Sequence, residues 1–199
     1  MDESPMENAD ASQQGANVQS DPPYWTSVSV AGLIFGLLAF ILSLISTYAM
    51  INSEPTGSFF SPQQLLGVLV CLVGAFGGMV AIWHYTNEYD TSVTLGKGAL
   101  IGFLVGVVIT VVTIILNQLW QVIDPDMTQK MIDSMIANFE QMDMPEEQKQ
   151  QAIDGIAESV QSQNSIGYQL LFGIPVYGIL NLITGMIGAK FFGEKETEF

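Results

Sequence analysis

Four stretches of this chain, 22–53, 55–87, 98–123 and 159–189, contain no Asp, Glu, Lys or Arg, although the whole sequence carries 20 acidic and five basic residues. Each stretch exceeds the roughly 20 apolar residues needed to cross a hydrocarbon core of about 30 Å. Inside lipid the backbone polar groups have to be satisfied within the segment, which selects helices for segments of this length. The pattern therefore predicts an all-α protein: a four-helix transmembrane bundle with spans at about 25–51, 65–84, 97–120 and 166–192. The tryptophans agree, since Trp25, Trp83 and Trp120 all fall at span ends. An indole is most stable there, with its apolar body in the membrane and its N–H at headgroup level.

The charged residues concentrate in what remains. Residues 1–23 form an acidic tail rich in Ser, Gln, Asn and Asp, with no Lys and too little apolar surface to offset the entropy of ordering; it reads as disordered. It also lacks the basic start of a secretion signal. A short acidic tail, 193–199, closes the chain. The one sizeable polar segment within the membrane domain of 24–192 is 121–165. There Asp124 and Pro125 form a turn that should end the third span, because the residue before a proline avoids the helical region. Asp124 could then cap a new helix with Pro125 at its first position.

Met127, Met131, Ile132, Met135, Ile136, Phe139 and Met142 follow at helical spacing, and Asp143 and Glu146 have the spacing of an acidic capping box for a second helix. Two amphipathic helices in an extramembrane hairpin are expected. Their methionine-rich face is either packing for the hairpin or a surface for partners; a thioether metal site would need converging ligands.

Several function classes are poorly supplied. The net charge is −15 with no arginine, opposite to the basic footprint that nucleic acids or anionic headgroups require. The single cysteine, Cys71, lies inside an apolar span, which excludes an intramolecular disulfide. No nucleophile elbow, zinc-protease helix or phosphate loop occurs, and the one histidine, His84, sits at a span end beside Trp83. No catalytic residue, cofactor or metal ligand is assigned, and a non-enzymatic protein is expected.

What the spans do carry is small residues four apart: Gly32 and Gly36, Gly74 and Gly78, Gly185 and Ala189, and the ladder Gly98, Gly102 and Gly106. Lipid tails are as apolar as leucine, so spans associate through close contact that small side chains permit. The ladder serves either packing within one chain or the seam of a homo-oligomer. Span 4 adds Asn181, Thr184 and Pro175, whose missing N–H should kink the helix and free a carbonyl. A broken helix beside Asn181 could line a small transport site; otherwise these residues shape the bundle. Lys97, Lys190 and Lys195 on the face of the termini outnumber Lys130 and Lys149 on the other, a slender margin for both termini in the cytoplasm.

The segment from Tyr85 through Thr94-Leu-Gly-Lys97 to Gly102, followed by the third span and Val122-Ile-Asp-Pro-Asp126, resembles the membrane family called domain of unknown function 4199. The resemblance covers about 24–192 and is carried by the combination of Thr94–Lys97 with Ile123-Asp124-Pro125. It implies four spans, a helical loop before the last, and residence in a bacterial cytoplasmic (inner) membrane. It brings no activity, ligand or catalytic residue. The acidic ends depart from the basic ends usual there. The resulting expectation is a structural or interaction component of that membrane, contacting the bilayer and a membrane or periplasmic protein through 124–163. The alternative is a small transporter or channel component built on the Pro175 kink.

Overall fold

The computed structural model describes residues 22–58 and 62–193, apart from the side chains of 62–64. Most of the expected N-terminal tail and the end of the chain after Gly193 lie outside the described residues. Seven helices and no strand occur among those described: α1 (Trp25–Ile51), α2 (Pro62–Ala75), α3 (Gly77–Tyr89), α4 (Leu95–Ile123), α5 (Met127–Glu140), α6 (Glu146–Asn164) and α7 (Ile166–Phe192).

Four segments are long and apolar enough to cross a membrane: α1, the stretch Leu65–Tyr89 that joins α2 to α3, α4 and α7. At 1.5 Å per residue the 29 residues of α4 extend about 44 Å, enough to cross with tilt. The bundle turns large aliphatic side chains outward, among them Leu33, Leu37, Leu72, Ile115, Ile179 and Ile183. An apolar surface of that extent is unfavourable in water and suited to lipid.

Its interior is organised around α4, which packs along α7 and against α1 and α3. Val28, Ala81, Ile82, Tyr85, Ile101, Val105 and Ile109 form the core where these helices meet. At one end of the bundle the Tyr85 hydroxyl donates to the Pro22 carbonyl and the Val93 N–H donates to the Gly193 carbonyl. Both termini of the described chain are thus beside the α3–α4 turn. At the other end the α1–α2 loop meets α5.

Helix boundaries depart from the sequence expectation in several places. The second span is broken at Phe76 rather than continuous, and it runs on to Tyr89. The extension follows from Tyr85, which is fully buried and anchored by hydroxyl bonds to the Pro22 carbonyl and the Lys97 ammonium. Asp90, in the left-handed region at φ 46°, then ends α3; aspartate tolerates that conformation better than most residues. α4 starts at Leu95, two residues early, because Thr94 caps it by accepting the Lys97 N–H at 3.3 Å.

Asp124 does not open α5; it closes α4, and Asp126 stands at the start of α5 without a side-chain cap bond. The capping box of Asp143 and Glu146 does not form either. Pro145 occupies the cap position of α6, and Glu146 instead pairs with Lys149 at 3.1 Å. With Pro145 at the cap, Glu146 is the first helical residue rather than the third, and the proline has no N–H for its carboxylate to accept.

Candidate functional site

The polar groups of the bundle gather at three places, beginning with the break in the second span. A helix interrupted inside lipid exposes N–H and C=O groups whose neglect costs several kcal/mol each. Here the last span supplies the partners. Asn181 Nδ2 donates to the Gly74 carbonyl at 3.1 Å and to the Tyr177 carbonyl at 2.9 Å, while its Oδ1 accepts the Gly78 N–H at 2.7 Å. The Thr184 hydroxyl donates to the Ala75 carbonyl. Asn181 is fully buried, and both its donors and its acceptor are engaged.

The small residues explain how α7 comes so close. A methyl group at Gly98 would lie 2.6 Å from the Ala189 side chain and 2.7 Å from the Gly185 carbonyl oxygen. At Gly102 and Gly106 it would strike the Asn181 and Tyr177 carbonyls, and at Gly78 the Asn181 carbonyl. Gly32 and Gly36 take Val108 and Val112 of α4, and Gly74 takes the Tyr177 ring. All seven packing glycines therefore meet residues of their own chain.

Pro175 and Asn181 are not brought together. They lie six residues apart on one helix, about 240° around its axis, so they face different neighbours. Pro175 is exposed on the outside of the bundle and Asn181 is buried. α7 continues as a single helix through Pro175, so the interruption expected beside Asn181 belongs to the second span instead.

The second gathering point lies at the hairpin end of α4. The Tyr48 hydroxyl donates to Asp124 Oδ2 at 2.6 Å and accepts from the Trp120 indole N–H at 3.2 Å; Lys130 Nζ donates to Asp124 Oδ1 at 3.0 Å. The Tyr48 hydroxyl and the Lys130 ammonium hold the Asp124 carboxyl below its ordinary value, and the carboxylate raises Lys130 in turn. This knot joins α1, α4 and α5.

The third point is a clamp just beyond it. Asn138 Oδ1 accepts the N–H groups of Thr56 and Gly57 at 3.0 and 3.1 Å, and its Nδ2 donates to the Ser58 carbonyl at 3.1 Å. Gly57 is at φ 62°, and a methyl group there would lie 2.5 Å from the Gln141 carbonyl oxygen, so the close approach of the loop to α5 favours glycine on both counts. Ser134 donates to the Met50 carbonyl at 3.1 Å. Between the clamp and the end of α1 lies a cavity of about 300 Å³ lined by Met50, Glu54, Met135, Asn138, Phe139 and Met142 among others.

The methionine-rich face of α5 is shared between packing against α6 and the wall of this cavity, which includes Met135 and Phe139. Ile132, Ile156 and Val160 are buried between α5 and α6, with Met131, Met135, Ile136 and Phe139 against them. Among the described residues no group of three or more His, Cys, Asp or Glu could hold a metal ion. His84 shares a 2.9 Å hydrogen bond with Ser27. At the terminal end Lys97 donates to the Tyr85 hydroxyl at 2.8 Å and stands 4.8 Å from its ring centre.

Asn138 and Tyr48 are isolated polar residues near helix ends and carry no local sequence signal of a distant partner. The glycine cluster around Phe76 was the one available sign of the break.

These features define a multi-pass helical membrane protein whose spans are locked by polar side chains at the centre and at both ends. The chain belongs to the family described as protein of unknown function (DUF4199), whose model matches residues 31–191. No curated protein and no solved structure matches it. The two fragments that carried the resemblance sit at opposite ends of α4: Thr94 caps the helix and Lys97 binds Tyr85, while Asp124 ties α4 to α1 and α5.

Proposed function

We propose that this protein is a non-enzymatic component of a bacterial cytoplasmic membrane, with both termini in the cytoplasm. Its α5–α6 hairpin lies outside the membrane on the opposite side and holds a protein partner with a basic surface. The observation that carries this function is the combination of a fixed hairpin with a net acidic outer face. Asp124, Ser134 and Asn138 fasten α5 to the bundle, and the apolar side chains turn inward. Asp133, Glu140, Asp143, Glu146, Glu147, Asp154 and Glu158 are all exposed. A rigid surface of one sign steers and orients an oppositely charged partner at little entropic cost.

The test is site-specific cross-linking from a cysteine at Glu158, in cells carrying Cys71→Ala. One discrete adduct is expected, weakened by salt and abolished when Glu146, Glu147 and Asp154 are changed to glutamine. An adduct indifferent to those charges would rule out the electrostatic surface. Reporter fusions after Asn138 and at the C-terminus test the orientation: external-reporter activity at the C-terminus would reverse it.

A further inference from the structure

The half of the bundle nearer the hairpin is not filled. A cleft of about 330 Å³ opens there, walled by α1, α2, α4 and α7 and roofed by Gln163 and Asn164 at the end of α6. Its lining includes Ser43, Thr110, Thr113, Asn117 and Tyr177, and none of its lining residues is charged. The floor is set where the Thr110 methyl meets Gly173, at 2.8 Å from the position of an added Cβ. Thr110 and Thr113 donate back to carbonyls of α4, which leaves their oxygens able to accept. Ser43, Asn117 and Tyr177 differ: their side chains hydrogen-bond to no described residue. Asn117 lies six residues inside the end of α4, about 9 Å from it. Trp120, three residues on, marks the end of the span, so Asn117 sits just inside headgroup level, lining the cleft with no hydrogen bond to the described protein. Asn181, on the next helix, shows what a purely structural asparagine looks like here, with every group engaged.

We propose that this cleft binds an uncharged, hydroxyl-bearing molecule, either a free polyol or the glycerol head of a neutral lipid. The absence of charge in the lining excludes carboxylates, phosphates and ammonium groups, since an ion there would lack a counter-charge. Hydroxyl and amide side chains both donate and accept, and hydroxyl groups of a ligand match them in both senses. The volume falls at the small end of ligand pockets and suits a head group rather than a whole two-chain lipid.

The experiment uses the full-length protein in phosphatidylcholine nanodiscs and tritiated monooleoylglycerol as the probe. Saturable binding is expected, displaced by excess unlabelled monooleoylglycerol and weakened roughly tenfold by Asn117→Leu, as for the loss of one or two hydrogen bonds. Displacement by free glycerol identifies a polyol site; resistance to glycerol identifies a neutral-lipid site. The double variant Ser43→Ala, Tyr177→Phe removes only two hydroxyls and gives the same loss if Asn117→Leu does not fold. Absence of saturable binding, equal displacement by phosphatidylglycerol, or full binding by the folded variants would each overturn the proposal.

Discussion

On the side of the termini, α4 meets α7 through Gly98, Gly102 and Gly106, whereas towards the hairpin the same face continues as Thr110, Thr113 and Asn117 around a cleft. The first half brings backbone against backbone, so that Asn181 reaches the broken second span. The second half keeps its helices apart with hydroxyls and an amide. One helix face thus does two jobs in sequence, and the change falls between Gly106 and Thr110. The contrast teaches that small residues and polar residues are alternative answers to a span's need for neighbours. Glycine admits a helix, and an unpaired amide admits something else.

The sharpest way to break the contrast is to put bulk into the closed half. Gly102→Leu drives a side chain into the Asn181 carbonyl, and a loss of about 3 kcal/mol or more is expected from overpacking. Thermal unfolding of the full chain in one lipid or detergent reads it, and an unchanged midpoint would mean that the seam is not close-packed. Next in size is Asn181→Leu, which strands the Gly74 carbonyl and the Gly78 N–H; about 2 kcal/mol is expected. Faster amide exchange at Gly78 than at its helical neighbours would localise the damage to the break, while uniform exchange would place it elsewhere.

A smaller effect follows from pH. The Asp124 carboxyl sits below its ordinary value of 3.8, so its contribution to holding α5 is complete above that value and is lost as pH falls through the lowered one. Hydrogen exchange of α5 should accelerate on acidification below pH about 4, and Asp124→Asn should remove the part of that response owed to this group. An identical acid response in the variant would discard Asp124 as the anchor. The smallest change belongs to the open half: Asn117→Leu removes no hydrogen bond to the described protein, and stability within about 0.5 kcal/mol of the parent is expected. A large loss would show that Asn117 is structural after all.

The spans were legible because exclusion of charge from lipid acts residue by residue, with no need to know the neighbours. The small-residue ladder was legible for the same reason, although its partner within the chain was not: only the fold shows that Gly102 faces Asn181 of α7. Helix ends were less readable where a tertiary contact decides them. Asp124 has a good N-cap sequence context, yet Tyr48, which lies 76 residues earlier, captures its carboxylate. Pro175 and Asn181 are neighbours in sequence without sharing a helix face, so nearness along the chain does not join them in one site. The break at Phe76 needed two facts at once, a glycine cluster on one span and an amide on another. The cleft is not legible in the sequence because each of its polar residues is ordinary alone and becomes informative only when α1, α4 and α7 place them together.

The capping of the second span from the fourth has a consequence for how the protein is made. Asn181 stands 107 residues after Gly74, and Thr184 stands 109 after Ala75. A ribosome therefore delivers the interrupted span to the membrane well before the groups that complete it. Until the last span arrives, the open backbone has to be sheltered by water, by the insertion machinery or by another transient companion. A chain truncated before α7 would retain three segments able to enter the bilayer and an unmet polar seam in one of them. The last helix to be synthesised is in this sense the keystone of the bundle.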